Sequence, residues 1–186
     1  MGCCNGEGSL INSFALVSYL PDPLAGFLDR LRHELVPQCE PRAHVTVLPP
    51  RPLTAAPEEA WRDLEKALRE VEPIRVELGQ VEVFPVTQVL YLSIGAGHNE
   101  LKRLHQALNR GLLRFEEPFR YHPHVTLAQD LEPQQVAGAV ELAGARWREF
   151  QQSRGFTVDR LTFVQNTLEN RWMDLHGCAL SSRVRI

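Results

Sequence analysis

The chain writes nearly the same four residues twice, as His44-Val45-Thr46-Val47 and His124-Val125-Thr126-Leu127. Each copy sets a histidine and a threonine two positions apart inside an apolar, β-branched run, the composition of a strand. On a strand, residues i and i+2 point to one face, so each copy projects an imidazole and a hydroxyl side by side. Val45, Val47, Val125 and Leu127 then point the other way, into a core. A fold that satisfies both copies needs two such strands, each with one buried face. If those strands face one cleft, it holds two imidazoles and two hydroxyls.

The remaining periodicities supply elements around these strands. An apolar strand runs over Phe14–Leu20 and is stopped by Pro21-Asp22-Pro23, where Asp22 reads as a helix N-cap and Pro23 as the first helical position. Leu24, Phe27, Leu28, Leu31 and Leu35 follow at helical spacing. The first motif strand ends in Pro49-Pro50-Arg51-Pro52, which predicts a stiff loop. A second helix is predicted over Pro57–Val71, with Trp61, Leu64, Leu68 and Val71 inward. Strands Ile74–Val83 and Val89–Ile94 come next, then a helix over Glu100–Arg114 capped by Asn99. After the second motif a helix starts near Pro133, and two strands, Phe156–Asn166 and Arg171–Leu180, are joined by a turn at Thr167–Asn170. This alternation predicts an α+β fold with mainly antiparallel sheet, in two related lobes with flanking helices and a central cleft. A tail over residues 1–11 and a single bilobal domain over residues 12–186 are the expected organisation.

Composition narrows the partners. A formal charge of −3 provides no global basic field for long nucleic acid, so a nucleic-acid substrate should be short or gripped at an end. Cys3, Cys4, Cys39 and Cys178 show neither zinc-ligand spacing nor a disulfide framework, which favours a reducing, cytoplasmic setting. No apolar run approaches the roughly 20 residues of a membrane helix, so no membrane association is expected. Met1-Gly2-Cys3-Cys4 hints at lipidation, but Gly6 stands where a myristoylation signal wants Ser or Thr.

Histidine titrates near neutrality, so a pair can divide acid and base work, one imidazole taking a proton while the other gives one. Phosphodiester cleavage needs that division, and threonine hydroxyls can donate to the non-bridging oxygens. One His-x-Thr on a strand is ordinary; two with the same intervening valine point to a paired site at His44, Thr46, His124 and Thr126. Arg42, two residues before His44, falls on the same face and is a candidate phosphate contact. Tyr121, Tyr91 and Phe84 are candidates for stacking on a base. His122 and His124 would share a face and leave a metal-dependent hydrolase as an alternative, weakened by Pro123 and by the lack of nearby carboxylates. His33 and His105 fall within helices, at surface or core-edge positions. A non-catalytic nucleotide- or phosphate-binding module using the same cleft is a further alternative.

His44-Val45-Thr46-Val47 and Pro123-His124-Val125-Thr126-Leu127-Ala128 resemble the paired signature of the 2H phosphoesterase superfamily. The similarity is greatest to its RNA 2′,3′-cyclic phosphodiesterase branch, also called 2′-5′ RNA ligases. Val83–Leu92 is similar to the strand pair that family carries between its motifs, and the resemblance extends over residues 14–180. It implies a bilobal fold with both motif strands lining the cleft. It also implies metal-independent opening of a 2′,3′-cyclic phosphate to a 2′-phosphomonoester, with reversible 2′-5′ ligation in some members. No cofactor is implied. By the same resemblance His44 matches the proton donor, His124 the base, and Thr46 and Thr126 the phosphate holders. RNA ends or small cyclic nucleotides, bound by a monomer, are the implied partners. Gln129 departs from relatives that carry arginine shortly after the second motif, which favours smaller cyclic phosphates over RNA.

Overall fold

The computed structural model describes residues 9–39 and 42–181. The chain runs β1 (Leu10–Tyr19), α1 (Leu24–Leu35), β2 (His44–Arg51), α2 (Pro57–Leu68), β3 (Ile74–Val83), β4 (Leu90–Ile94), α3 (His98–Leu108), a 3₁₀ turn (Gly111–Leu113), β5 (His124–Ala128), α4 (Pro133–Glu149), β6 (Gly155–Val158), β7 (Arg160–Thr167) and β8 (Trp172–Ala179). These form two four-stranded sheets, ordered β2-β1-β7-β8 and β5-β4-β3-β6. Every pairing is antiparallel. Both motif strands, β2 and β5, are therefore edge strands, and they lie against each other where the sheets meet.

The helices tie the two lobes together by crossing over. Helix α1 follows β1 yet packs on β5 and α4 of the second sheet; α3 follows β4 yet packs on β2 of the first. Phe27 of α1 meets Phe150 at 4.7 Å and Trp147 at 6.1 Å between ring centroids. On the first sheet, Trp61 of α2 stacks on Phe163 and His176. The exchange merges what would be two small cores into one continuous apolar cluster containing Leu28, Leu64, Leu92, Leu101 and Leu127. Each fully buried leucine contributes roughly 1.5–3 kcal/mol over its exposed state, and Leu28→Ala would cost about 2–5 kcal/mol. Among the described residues no helix is long and apolar enough to cross a membrane.

Several boundaries differ from the sequence expectation, each for a physical reason. Strand β2 continues through Pro49 and Pro50 to Arg51, where a loop was expected. Pro49 and Pro50 sit on an edge strand between Leu48 and Arg51, where the β1–β2 register is already irregular, so the pair interrupts a ladder that is broken there. Strand β1 begins at Leu10, which pairs with Thr167, rather than at Phe14. The expected tail thus falls partly within β1, and residues 1–8, including the lipidation hint, lie outside the described residues. Helix α1 starts one residue later than expected, at Leu24, with Pro23 as N-cap; Asp22 still accepts an N–H, from Gly26 at 3.0 Å.

Helix α2 stops at Leu68, short of Val71. Helix α3 starts at His98 behind Gly97 (φ 87°), not at Glu100 behind Asn99. The chain enters it through a left-handed turn packed against the Arg75 carbonyl, where a Cβ would clash, so glycine is required. It ends at Leu108, well before Arg114, because the Asn109 side chain bonds both the N–H and the C=O of Phe115 and holds a turn. The single strand expected over Phe156–Asn166 is broken at Asp159: β6 joins the second sheet and β7 the first. Its sequence reads as one apolar run because each part is buried in its own lobe.

Candidate active site

The register fixes which side chains share a face. Tyr19 lies opposite His44 and Val17 opposite Thr46. On the other sheet Ser93 lies opposite His124 and Tyr91 opposite Thr126. Val45, Val47, Val125 and Leu127 are fully or almost fully buried behind the strands, as their alternation demands. His44, Thr46, His124 and Thr126 are each part-exposed on the opposite faces.

The two imidazoles are held in the same way. Nδ1 of His44 is 2.7 Å from the carbonyl of Arg42, and Nδ1 of His124 is 2.6 Å from the carbonyl of His122. A carbonyl can only accept, so each Nδ1 carries the hydrogen. This leaves Nε2 of both rings as the lone-pair nitrogen, with no protein partner among the described residues. The Thr46 and Thr126 hydroxyls are likewise without a partner among the described residues. Burial lowers the pKa of His44 to about 4, with smaller contributions from nearby Arg32, His124 and Arg42; the two histidines are close enough to repel one another's charged form. Burial also lowers His124. Both shifts favour the neutral ring.

Their neighbourhoods differ. His124 is walled by aromatic edges: Phe84 at 5.0 Å and Tyr91 at 5.3 Å, which stack on each other at 4.0 Å. His44 meets the edge of Tyr19 at 6.3 Å. The Tyr19 hydroxyl donates to Asp174 at 2.5 Å, and the Arg42 guanidinium lies over the Tyr19 ring at 3.3 Å. Burial, then the Asp174 carboxylate, push the Tyr19 phenol well above its usual range.

Two of the sequence candidates are engaged with other side chains. Arg42 precedes β2 and is exposed, but its Nη1 is 2.8 Å from Asp174, so a carboxylate already holds it. Tyr121 makes two contacts within the protein. Its ring stacks on His105 at 3.9 Å, and its hydroxyl donates to the Thr46 carbonyl at 2.8 Å. His105 is buried, not at the core edge, and its Nδ1 is 2.9 Å from the Val47 carbonyl. The pair thus grips the outer edge of β2 from the second lobe. It is backed by buried Arg51, which binds Glu117 at 2.6 Å, Asn109 at 2.9 Å and the Leu113 carbonyl at 2.9 Å. His122 has a buried Nε2 without a partner and lies 5.1 Å from His98. Among the described residues no three His, Cys, Asp or Glu side chains gather as a metal site.

Sequence reasoning did not find Tyr19, Asp174, His105 or Glu117. Tyr19 and Asp174 come from strands far apart in the chain, and only the β1–β2 and β7–β8 registers bring them to His44. The one available signal was an ionisable residue, Asp174, in a late strand.

The chain matches the family model described as the 2′-5′ RNA ligase superfamily over residues 20–170. A protein of Bacillus cytotoxicus, provisionally named a phosphoesterase, is 30% identical over 72% of this chain and 75% of its own. One of Oceanobacillus iheyensis with the same kind of name is 26% identical over 61% of this chain; the match spans 65% of that relative's length. Among solved structures, E. coli LigT complexed with NADP+ superposes with a TM-score of 0.64 over 92% of this chain and 99% of its own, at 18% identity. LigT has also been solved with 3′-AMP. The matched span takes in both motif strands and the helices that cross between the lobes, and on it the chain belongs to the 2′-5′ RNA ligase superfamily of 2H phosphoesterases.

Proposed function

We propose that the protein is a metal-independent phosphodiesterase that opens 2′,3′-cyclic phosphates, on small nucleotides or RNA ends, to 2′-phosphomonoesters. The observation that carries this reading is the matched pair of Nδ1-to-carbonyl bonds, which leaves two Nε2 atoms and two unpartnered threonine hydroxyls for one ligand. Water attacks phosphorus while one Nε2 takes its proton. The P–O3′ bond breaks, and the other imidazole, protonated, delivers its proton to the departing O3′. Thr46 and Thr126 donate to the non-bridging oxygens as charge grows on them. Family resemblance gives His124 the base role and His44 the donor role. Burial favours the neutral form of both rings, so the donor is charged with the substrate anion beside it, which favours the imidazolium. That LigT has been solved with 3′-AMP supports a nucleotide phosphate as the ligand.

The test is hydrolysis of a 2′,3′-cyclic nucleotide in chelator, with the product resolved by phosphorus NMR. A 2′-phosphate whose formation is abolished by His44→Ala and by His124→Ala is expected. Unchanged turnover in both variants overturns the mechanism, and saturable binding without turnover makes the protein a binding module.

A further inference from the structure

The carbonyl that orients His44 is itself held. It belongs to the peptide group between Arg42 and Ala43, and the N–H of that same group donates to Oδ1 of Asp29 at 2.6 Å. In a planar trans peptide the C=O and N–H point in opposite directions. A carboxylate that fixes the N–H therefore aims the oxygen, here at Nδ1 of His44, 2.7 Å away. A carboxylate acceptor makes a stronger bond than a neutral one, and polarisation along the chain makes the Arg42 oxygen a better acceptor in turn. The Ala43 carbonyl, in the next peptide group, accepts from the Leu20 N–H at 3.0 Å. The entry to β2 is thus pinned on both sides of Ala43.

Asp29 is half-buried on α1, one residue past the fully buried Leu28. That helix packs on β5, the strand of His124. One element thus docks against one motif strand and sets the ring orientation at the other. Arg32, three residues further along α1, places Nη1 3.5 Å from the same Arg42 oxygen, so the helix addresses both ends of this peptide group. The second motif has no equivalent. Its orienting carbonyl belongs to the peptide group between His122 and Pro123, and proline has no N–H to hold.

We infer that Asp29 is a positioning residue for His44, acting through the peptide group between Arg42 and Ala43. By fixing that carbonyl it keeps the hydrogen of the neutral ring on Nδ1 and turns Nε2 towards the phosphate. This is the form the ring has once Nε2 has given a proton away, and the form in which Nε2 can take one. Without the carboxylate the peptide group tilts, Nδ1 loses its acceptor, and the neutral ring can carry its hydrogen on Nε2 instead. His124 does not depend on Asp29, because its carbonyl is not held through an N–H. The inference deepens the phosphoesterase reading and rests on it for the turnover readout alone.

The test compares wild type, Asp29→Ala and Asp29→Asn by turnover of a 2′,3′-cyclic nucleotide and by nitrogen NMR of the histidine rings at about pH 8. Ring nitrogen shifts tell which atom carries the hydrogen. Asp29→Ala is expected to lower kcat by about 10–100-fold with KM within about twofold. It should also move His44 towards the Nε2–H form while His124 keeps its signal. Asp29→Asn keeps an oxygen for the Ala43 N–H and should retain most of the activity and the wild-type His44 signal. Unchanged kcat in Asp29→Ala overturns the positioning role. So does a loss of kcat with the His44 tautomer intact, or an equal shift in both rings, either of which a general loosening of the fold would give. Asp29→Asn as impaired as Asp29→Ala overturns it as well. Where Asp29→Ala does not fold, wild type decides: the Ala43 amide is expected to be protected from hydrogen exchange, with the His44 hydrogen on Nδ1. Fast exchange or an Nε2–H ring there overturns the proposal. If wild type hydrolyses no cyclic nucleotide, the phosphoesterase reading falls, and the ring signals alone support or overturn the role of Asp29.

Discussion

His44 and His124 make the same bond to their own strands, yet one sits beside charges and the other among rings. Around His44 are Tyr19, Asp174 and Arg42, with β2 clamped from outside by His105 and Tyr121. Around His124 are the rings of Phe84, Tyr91 and His122. The four-residue motif therefore sets where each imidazole points. Its surroundings, drawn from other strands, set how readily each takes a proton. Two nearly identical strands thus hold like imidazoles in unlike surroundings.

Removing either ring tests the shared part of this comparison and should have the largest effect. His44→Ala and His124→Ala are each expected to lower kcat by about 10²–10⁴-fold, read on a cyclic nucleotide. A large loss in one variant only would mean that the two strands do not share one reaction. Next is the clamp, which only the first motif has. Glu117→Ala leaves the buried Arg51 guanidinium without its carboxylate and should cost about 3–5 kcal/mol in urea unfolding. A loss under about 1 kcal/mol, the scale of exposed ion pairs, would show that the pair is solvated. Thr46→Val and Thr126→Val remove one donor each and should lower kcat by about 10–100-fold with little change in stability. Unequal losses would show which lobe bears the charge that develops. Tyr121→Phe deletes the single bond to the Thr46 carbonyl and should cost about 1 kcal/mol, with kcat falling more than KM rises if strand spacing is at stake.

The smallest effect is in pH dependence. Both histidines titrate below the ordinary 6.5 in the free protein, His44 at about 4. One proton must be present and one absent, so the kcat/KM bell should be centred below pH 6.5 and fall as pH rises through neutrality. An optimum above pH 7 would contradict the burial of both rings. Stability runs the opposite way with pH. The unfolded chain binds protons first, so the melting temperature should drop as pH falls from 6.5 towards 4, and less so in His44→Gln.

Much of the site was legible because it is local. A histidine and a threonine two apart on a strand share a face whatever the rest of the chain does. The carbonyl that orients each ring is also two residues away. The strands themselves followed from alternation and β-branched content, as at Ile74, Val76 and Leu78, all buried as expected. Element ends were less legible where the deciding contact was distant or conformational, as at Gly97 and Asn109. The proline run 49–52 misled because proline's cost depends on whether it falls at a strand edge or a register irregularity, which composition does not state.

By itself, then, the sequence determined the two motif strands, their paired side chains and the α+β class, all consequences of residue spacing and side-chain type. Tertiary structure alone decided that β2 and β5 are facing edges, that α1 and α3 exchange lobes, and that β6 and β7 part at Asp159. It alone set Asp174 on the motif's face and lodged Tyr121 against β2. These are register and packing outcomes, fixed by burial of a core shared between segments more than a hundred residues apart, and no local pattern encodes them.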